Sequence, residues 1–534
     1  KQNNFKIFCF NIFMLLEKER LKPTLRKYQE NILATAKEKN TLVVLPTGLG
    51  KTLIAFELID YRLKYGKPNA KALFLAPTKP LVDQHFTNFR KAYRWNAHML
   101  TGAINSKKRK EIWESAKVVF ATPQTIANDL ENGLISLKDV CVVVFDEAHR
   151  CLKQYDYVDI AKRYVSEGED VRILGLTASP SEEKAKITEI CKNLNIEAIE
   201  IRTRESKDVK PYIKKLILKI IKVDLDDELL EVKNLLEGYY KRKLEELNNR
   251  GFLFKKNISK KEIVMLQKTL QMQASQNKSD FNLLRALTAV AIALKLQHAI
   301  ELLETQSVKA LYLYLQDLYQ QADEKKSRAV IEIINNKDFK KAFLKVIELF
   351  NKGKENPKLE KLREIVEGEI ASNKNFKAIV FTQFRDNVTK INEYLDKVGI
   401  KNKCFIGQAK KRENGLTQRE QKKIIEEFKN SDINLLVSTS IGEEGLDIPE
   451  VDAVIFYEPV PSAIRKIQRA GRTARTKDGK VIILMAKNTR DEAYYWASWH
   501  KEKKMHWLIE NINKKLNEKV NEVDIPLDKF VENE

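Results

Sequence analysis

Two separate parts of the chain alternate short apolar runs with helical stretches, and this alternation is the feature that most constrains the fold. Each run is followed by polar residues or by Gly and Pro, which is typical of parallel strands buried on both faces of a sheet. The runs cover residues 42–45, 72–76, 118–121, 140–145 and 173–176 in the first part and 378–381, 434–437, 453–456 and 481–485 in the second. The pattern predicts two doubly wound α/β domains, in which ligands bind at the carboxyl ends of the strands.

The region between these parts, from about residue 209 to residue 349, has few Gly and Pro residues and shows helical periodicity. Its clearest stretch, residues 283–303, repeats apolar residues every three or four positions, which predicts an amphipathic or largely buried helix. Arg285 and Lys295 lie within it and argue against a membrane span, and we expect no segment of the chain to be long and apolar enough to form one. The predicted division is a first α/β domain (1–205), a helical insertion (206–355), a second α/β domain (356–500) and a helical, charged tail (501–534).

Basic residues exceed acidic residues by 96 to 74, which gives the chain a net charge of +22. Such a surplus suits a partner with dense negative charge, above all nucleic acid. A surface rich in both Lys and Glu explains it equally well, so composition alone leaves both interpretations open. The five cysteines are scattered and form no C-x-x-C pair. This argues against a zinc site or a disulfide framework and predicts a cytoplasmic, reducing location.

A glycine-rich turn lies between the first predicted strand and the helix after it, in the sequence LPTGLGKT of residues 45–52. The backbone N–H groups of such a turn point at phosphate oxygens. Lys51 is placed to reach the β- and γ-phosphates, and the Thr52 hydroxyl is placed to bind Mg²⁺. Upstream, the Gln29 amide can read the adenine edge and the Tyr28 ring can stack on the base. The predicted ATP-binding residues of this segment are Tyr28, Gln29, Thr47, Gly48, Gly50, Lys51 and Thr52.

The apolar run 140–145 ends in Asp146-Glu147-Ala148-His149. Two adjacent carboxylates at the end of a buried strand predict the second half of a site that hydrolyses nucleotides. Asp146 would hold Mg²⁺ together with Thr52, and Glu147 would polarise the attacking water. Thr177 and Ser179 follow the next strand. Together with His149 they are predicted to relay the state of this site through hydrogen bonds.

The second α/β part supplies the other wall of the predicted site. Arg472 and Arg475 lie three residues apart, which places them on one face if this segment is helical, and Gln468 precedes them by one turn. Planar guanidinium groups suit stabilisation of a γ-phosphate. A polar loop that contains Asp447 follows a buried strand and is placed to meet the same cleft. A site divided between two domains would let ATP close them and hydrolysis release them.

Several longer runs resemble superfamily 2 helicases, and in particular the archaeal Hef family, which is related to the Fanconi-anaemia M protein. The runs are residues 75–82 (LAPTKPLV), 121–125 (ATPQT), 145–150 (FDEAHR), 294–306 (LKLQHAIELLETQ), 405–409 (FIGQA), 415–421 (GLTQREQ), 440–447 (SIGEEGLD) and 456–465 (FYEPVPSAIR). The resemblance spans nearly the whole chain. It implies two RecA-like motor domains with an all-helical insertion between them, and an ATP-dependent helicase that acts on forked and branched DNA. The insertion, which is rich in Lys, would bind the branched DNA in the way that a polymerase thumb does. It also implies ATP and Mg²⁺ as cofactors, a sliding clamp or a nuclease as protein partner, and a monomer associated with the nucleoid.

By this resemblance Gln29 lies at the adenine and Asp447 at the ribose. The residues assigned to the nucleic-acid backbone are Pro77, Thr78, Thr101, Gly102, Thr122, Pro123, Gln124, Thr382, Gln383, Thr439 and Ser440. Small hydroxyl residues and exposed N–H groups at strand ends hold phosphates without reading bases. The family's final motif more often reads Q-R-R-G-R-x-G-R, so Ala470 and Ala474 depart from it. The family's nuclease core has no counterpart in residues 496–534, so we expect a chain that remodels DNA without cutting it.

Two other functions stay open at this point. Innate-immune RNA sensors place a helical insertion at the same position, and backbone contacts separate DNA from RNA poorly because only 2′-hydroxyl contacts differ. The other alternative is a nucleic-acid scaffold that binds ATP without hydrolysing it. The presence of Lys51, Glu147 and Arg475 argues against the scaffold.

Overall fold

The computed structural model describes residues 23–181, 183–255, 258–277, 279–324, 327–407, 416–439, 448–474 and 477–520. Within these ranges the chain forms two parallel sheets with flanking helices, and a bundle of helices between them. The predicted fold class, two RecA-like domains with an all-helical insertion, is confirmed.

The first sheet has seven parallel strands in the order β3-β4-β2-β5-β6-β1-β7. They are Thr41–Val44 (β1), Lys71–Leu75 (β2), Ala97–Leu100 (β3), Val118–Ala121 (β4), Val140–Asp146 (β5), Ile173–Thr177 (β6) and Ala198–Ile201 (β7). The central strands are buried along their whole length, as their apolar sequences predict. The helices are Lys27–Glu38 (α1), Lys51–Tyr65 (α2), Lys79–Ala92 (α3), Ser106–Ser115 (α4), Pro123–Glu131 (α5), Asp156–Glu167 (α6) and Lys184–Asn193 (α7), with a short 3₁₀ turn at Ala148–Arg150.

The bundle consists of Asp227–Asn249 (α8), Lys260–Gln276 (α9), Phe281–Thr305 (α10), Val308–Asp323 (α11), Arg328–Asn335 (α12) and Lys337–Asn351 (α13). Helix α10 contributes to both apolar clusters of the bundle. It is long and apolar enough to span a membrane by length and composition, which corrects the expectation that no segment is. However, 61% of its most apolar stretch is buried inside the protein. Its apolar surface is therefore covered by neighbouring helices, as in the core helix of a bundle.

The second sheet has six parallel strands in the order β10-β11-β9-β12-β13-β8. They are Leu216–Val223 (β8), Ala378–Phe381 (β9), Asn402–Phe405 (β10), Leu435–Ser438 (β11), Ala453–Phe456 (β12) and Gly479–Ala486 (β13). Strand β8 lies in the range predicted as helical insertion, yet it pairs with β13 over its full length. It is an edge strand in which Leu218 and Ile220 are 49% and 39% exposed, and Lys residues interrupt its apolar sequence. The sequence therefore did not resemble a buried strand, and this boundary of the insertion was wrong.

The helices of the second domain are Pro357–Ser372 (α14), Arg385–Lys397 (α15), Gln418–Lys429 (α16), Ala463–Ala470 (α17) and Arg490–Val520 (α18). Helix α18 crosses the predicted boundary at residue 501 without a break. Near its start Asp491 forms a buried ion pair with Lys358 at 2.9 Å. Further along, Met505, Leu508 and Ile509 are buried in the apolar core of the first domain. This helix therefore connects the two motor domains.

Candidate nucleotide and nucleic-acid sites

The phosphate loop follows β1 and ends at Lys51, the first residue of α2. Gly48 and Gly50 have φ values of 84° and 76°, a left-handed conformation that glycine adopts without steric cost. Such a loop directs its N–H groups, and those of the helix N-terminus, toward a bound anion. The Lys51 ammonium donates to the Leu45 carbonyl at 2.8 Å and so lies within the loop. The predicted residues thus form a loop suited to the phosphates of a nucleotide.

Tyr28 and Gln29 support this loop from behind. The Tyr28 hydroxyl and the Gln29 amide both donate to the Leu49 carbonyl, at 2.8 and 3.1 Å. The Gln29 side-chain oxygen accepts from the Arg26 backbone N–H at 2.8 Å. The Tyr28 ring is 0% exposed, so the prediction that it stacks on a base is wrong. It occupies the inward face of α1, where burial of an aromatic ring is most favourable. A contact between Gln29 and adenine stays a prediction.

The carboxylates at the end of β5 lie close to polar side chains of neighbouring elements. The Asp146 side chain is 2.9 Å from His85 Nε2, and its carbonyl accepts from the Tyr157 hydroxyl at 2.7 Å. One Glu147 carboxylate oxygen lies 3.3 Å from His149 Nδ1. His149 Nδ1 is also 3.3 Å from the Thr177 hydroxyl.

The Thr177 hydroxyl in turn accepts from the Ser179 N–H at 3.2 Å. The structure therefore brings together the three predicted coupling residues, and it places Glu147 beside them.

The donor groups at the site fit Mg²⁺, which prefers oxygen ligands. Thr52 lies in the first turn of α2 and Asp146 at the end of β5, so both follow strands at the same edge of the sheet. The buried Glu147 Oε2 is the oxygen that lies 3.3 Å from His149 Nδ1, and it accepts no hydrogen bond from the described residues. A buried carboxylate oxygen of this kind suits the metal, a metal-bound water or the attacking water.

The predicted nucleic-acid contacts of the first domain follow the neighbouring strands β3, β4 and β2. Thr122 and Thr78 are the N-cap residues of α5 and α3, so two helix N-termini begin at this part of the sheet edge. Thr101 and Pro123 are buried, and so is the Thr78 hydroxyl. The groups available to phosphates are therefore backbone N–H groups and the exposed Gly102 and Gln124.

The same edge of the sheet is divided between the two predicted sites. Strands β3, β4 and β2 lead into the nucleic-acid residues, and their neighbours β5, β6 and β1 lead into the nucleotide residues. The two sets therefore meet at the boundary between β2 and β5.

The second-domain contacts Thr382, Gln383 and Thr439 follow the paired strands β9 and β11. Thr382 is fully buried and donates to Glu458 Oε1 at 2.8 Å, and the Gln383 N–H donates to the same oxygen. The prediction that the Thr382 side chain touches nucleic acid is therefore wrong, because its hydroxyl is used to hold this loop in place. Burial raises the pKa of Glu458 to about 7, although Lys358 and these hydrogen bonds oppose the shift. Ser440 and Asp447 lie outside the described residues.

Helix α17 brings the second domain into contact with the phosphate loop. A Cβ atom at Gly471 would lie 1.4 Å from the Thr47 hydroxyl, so the two backbones approach closely. The helix ends at Ala470, because Gly471 forms its C-cap and Thr473 pairs with Val451. Arg472 therefore lies in the turn after α17, beside the cleft. The prediction that it lies on a helix face was wrong. The Gln468 side chain and Arg475 lie outside the described parts of the chain.

Two residues near the sites were not predicted. Arg469 is almost fully buried and lies over the Phe381 ring at 4.9 Å, so it supports the loop after β9. Its position inside the arginine-rich segment could have indicated it as a functional residue. His85 contacts Asp146 from α3. Its position in the sequence carried no signal, since the contact joins residues of different elements.

Three family models match the chain in succession. They are "DEAD/DEAH box helicase" over residues 26–187, "Putative ATP-dependent RNA helicase, helical bundle" over 228–353 and "Helicase conserved C-terminal domain" over 357–477. The chain is also 47% identical to the Hef helicase domain of Pyrococcus furiosus, with a TM-score of 0.72, over 89% of this chain and 98% of that domain. The chain belongs to the Hef family of helicases. It is therefore a DEAD/DEAH box helicase that uses ATP, as the sequence predicted.

Among curated proteins, this Hef-family chain is similar to a "Putative ATP-dependent RNA helicase" of Methanocaldococcus jannaschii, at 40% identity over 95% of its length. It is also similar to the "ATP-dependent DNA helicase mph1" of Neurospora crassa, at 33% identity over 88% of its length. The chain spans 64% and 42% of the lengths of these two relatives.

Proposed function

We propose that this chain is a motor that uses ATP to move along DNA and to remodel forked and branched DNA in replication-fork repair and recombination. The observation that supports this most strongly is the strand order, which divides one sheet edge between the predicted nucleotide residues and the predicted nucleic-acid residues. The second domain contacts the phosphate loop at Thr47 and therefore adjoins the nucleotide residues. Binding or hydrolysis of the nucleotide can therefore move the segments that bind the nucleic acid.

The roles in ATP hydrolysis follow from the geometry of the cleft. Lys51 and the N–H groups of the loop bind the phosphates, and Arg472 approaches them from the second domain. Mg²⁺, held by Thr52 and Asp146, neutralises phosphate charge when it is bound. Glu147 orients and polarises the water that attacks the γ-phosphate. His149, Thr177 and Ser179 relay the presence of that phosphate to the strand ends.

Opening and closing of the cleft supply the movement. ATP favours the arrangement in which Gly471 adjoins Thr47, and hydrolysis removes the phosphate that holds the domains together. The insertion moves with the second domain, because Asn387 donates to the Thr305 carbonyl at 2.8 Å and Arg490 donates to the Gln297 carbonyl at 3.1 Å. DNA held by the insertion therefore shifts relative to the helix N-termini of the first domain. We further infer a cytoplasmic, nucleoid-associated monomer that works with a sliding clamp or a nuclease.

RNA is the second candidate track. The helical-bundle model and the Methanocaldococcus jannaschii relative both carry RNA helicase in their names. The Neurospora crassa relative is named a DNA helicase, and the longer sequence runs resemble the DNA-acting Hef family. Contacts with the nucleic-acid backbone alone do not separate the two tracks.

The proposal is tested by the rate of ATP hydrolysis with forked DNA, linear duplex DNA, double-stranded RNA or no nucleic acid. We expect the largest stimulation by forked DNA, and a Lys51→Ala variant at background under all four conditions because the phosphates lose their cation. Stimulation by RNA alone would contradict the proposed track. A wild-type chain that binds ATP without turnover under any condition would support the scaffold.

A charge reversal at Lys79 is expected to weaken binding to DNA of any base sequence. Lys79 is the exposed first residue of α3 and adjoins the proposed phosphate contacts. A carboxylate there would repel phosphates and would offset the positive potential that the helix N-terminus offers them. In a salt titration of DNA affinity, Lys79→Glu should lower the slope of log Kd against log salt by about 1.

Lys91→Glu is the matched control, because Lys91 is an exposed lysine near the opposite end of the same helix. The control should leave the slope unchanged. Equal losses in both variants would mean that α3 does not bind DNA through its N-terminus.

A further inference from the structure

His85 lies at the boundary between β2 and β5, where the predicted nucleic-acid residues and the predicted nucleotide residues meet. It belongs to α3, the helix that follows Pro77 and Thr78 at the end of β2. Its imidazole reaches across to Asp146 at the end of β5, the strand paired with β2. Nε2 is 2.9 Å from the Asp146 carboxylate, and both side chains are about nine-tenths buried. One side chain therefore connects the proposed nucleic-acid helix to the proposed metal ligand.

Among the described residues, Asp146 is the polar group that the His85 side chain contacts. Its ring packs against Phe74 with centroids 4.7 Å apart. Its second nitrogen, Nδ1, is buried and has no hydrogen-bond partner among the described residues. A carboxylate oxygen only accepts hydrogen bonds, so Nε2 carries the proton and donates it. An apolar residue would fill this place at lower desolvation cost, so the bond to Asp146 is what the histidine contributes.

We propose that His85 is a positioning residue that orients the Asp146 carboxylate toward Mg²⁺ and connects it to the nucleic-acid end of α3. This rests on the proposed function. With one carboxylate oxygen held by His85, the other is directed at the metal, as is common for groups that support metal ligands. Thr78 and His85 lie seven residues apart at the start of one helix, or about 10 Å along its axis. A shift of α3 on binding a phosphate therefore moves the imidazole and the carboxylate with it.

The test compares three substitutions that separate hydrogen bonding from packing. His85→Phe keeps the ring and removes the donor, and His85→Gln places an amide N–H near the position of Nε2. His85→Asn keeps an amide that is too short to reach Asp146. The control is His98→Phe, at an imidazole of the same domain whose Nε2 lies 2.9 Å from Asn96 Oδ1.

The first readout is the affinity of the ADP-bound protein for Mn²⁺, measured by electron paramagnetic resonance. We expect His85→Phe and His85→Asn to weaken Mn²⁺ binding by about 10- to 100-fold. His85→Gln and His98→Phe should stay within about threefold of wild type, and affinity for ADP without metal should stay unchanged in all four variants. If His85 only packs, Phe should be tolerated better than Gln. That order, or equal Mn²⁺ affinity in wild type and His85→Asn, would overturn the proposal.

The second readout is the factor by which forked DNA stimulates ATP hydrolysis. We expect this factor to fall in His85→Phe and His85→Asn and to persist in His85→Gln, because only the last restores the bond. If forked DNA stimulates ATP hydrolysis by His85→Asn as much as it stimulates the wild type, the proposed connection between Asp146 and the nucleic-acid end of α3 is overturned. A wild-type chain without any stimulation contradicts the proposed function instead, and the Mn²⁺ measurement then still decides whether His85 positions Asp146.

Discussion

Replacing Glu147 with Gln is expected to slow ATP hydrolysis by about 10²- to 10⁴-fold, the usual contribution of a general base. The amide keeps the size of the side chain and its place beside His149, but it cannot accept a proton from water. Binding of ATP should persist, because the phosphate loop and Lys51 are unchanged. The measurements are the ATPase rate at saturating forked DNA and the affinity for a fluorescent ATP analogue.

Glu205→Gln makes the same chemical change at a carboxylate of the first domain that is 86% exposed, and it should hydrolyse ATP at the wild-type rate. A Glu147→Gln variant with wild-type turnover would show that another group activates the water. Loss of nucleotide binding in that variant would instead assign Glu147 to the binding of ATP.

Replacing Gly471 with Ala is expected to prevent the two domains from closing on ATP. The added methyl carbon would lie 1.4 Å from the Thr47 hydroxyl oxygen and 2.5 Å from the Thr47 Cβ. Rotation of the Thr47 side chain removes the first overlap but not the second, so the domains must separate. Overpacking of this kind costs about 1–3 kcal/mol, which corresponds to about a 5- to 150-fold loss of turnover.

Gly368→Ala provides the control, because a Cβ atom there would meet no atom of the described residues within 4 Å and the residue lies inside α14 of the same domain. It should keep full activity and gain stability slightly, since alanine favours a helix over glycine. The ATPase rate and the unfolding temperature distinguish the two variants. Wild-type turnover in Gly471→Ala would mean that hydrolysis does not require the contact between Gly471 and Thr47.

Local sequence was sufficient where function depends on residues close together in the chain. The phosphate loop could be predicted because Gly48, Gly50 and Lys51 act through the backbone conformation of one turn. Asp146 and Glu147 could be predicted because a buried apolar strand leads directly into them. The parallel sheets followed from the same pattern, since runs of this kind are typical of strands buried on both faces. Strand β8 was missed because an edge strand has no such pattern.

The tertiary structure decided which of these residues face the cleft and which support it. Tyr28 and Thr382 belong to segments that resemble binding motifs, yet both side chains are fully buried and hold loops in place. Whether a ring or a hydroxyl faces ligand or core depends on what packs over it, and distant elements supply that packing.

Neighbouring residues in the chain were therefore enough to predict the chemistry: a phosphate loop, a pair of carboxylates and two parallel-sheet domains. Only the tertiary structure placed Gly471 against Thr47 and His85 against Asp146. These contacts join residues that lie far apart in the chain, and their distances depend on how whole domains and helices pack. The proposed ATP site could thus be predicted from the sequence, whereas its proposed coupling to movement required the fold.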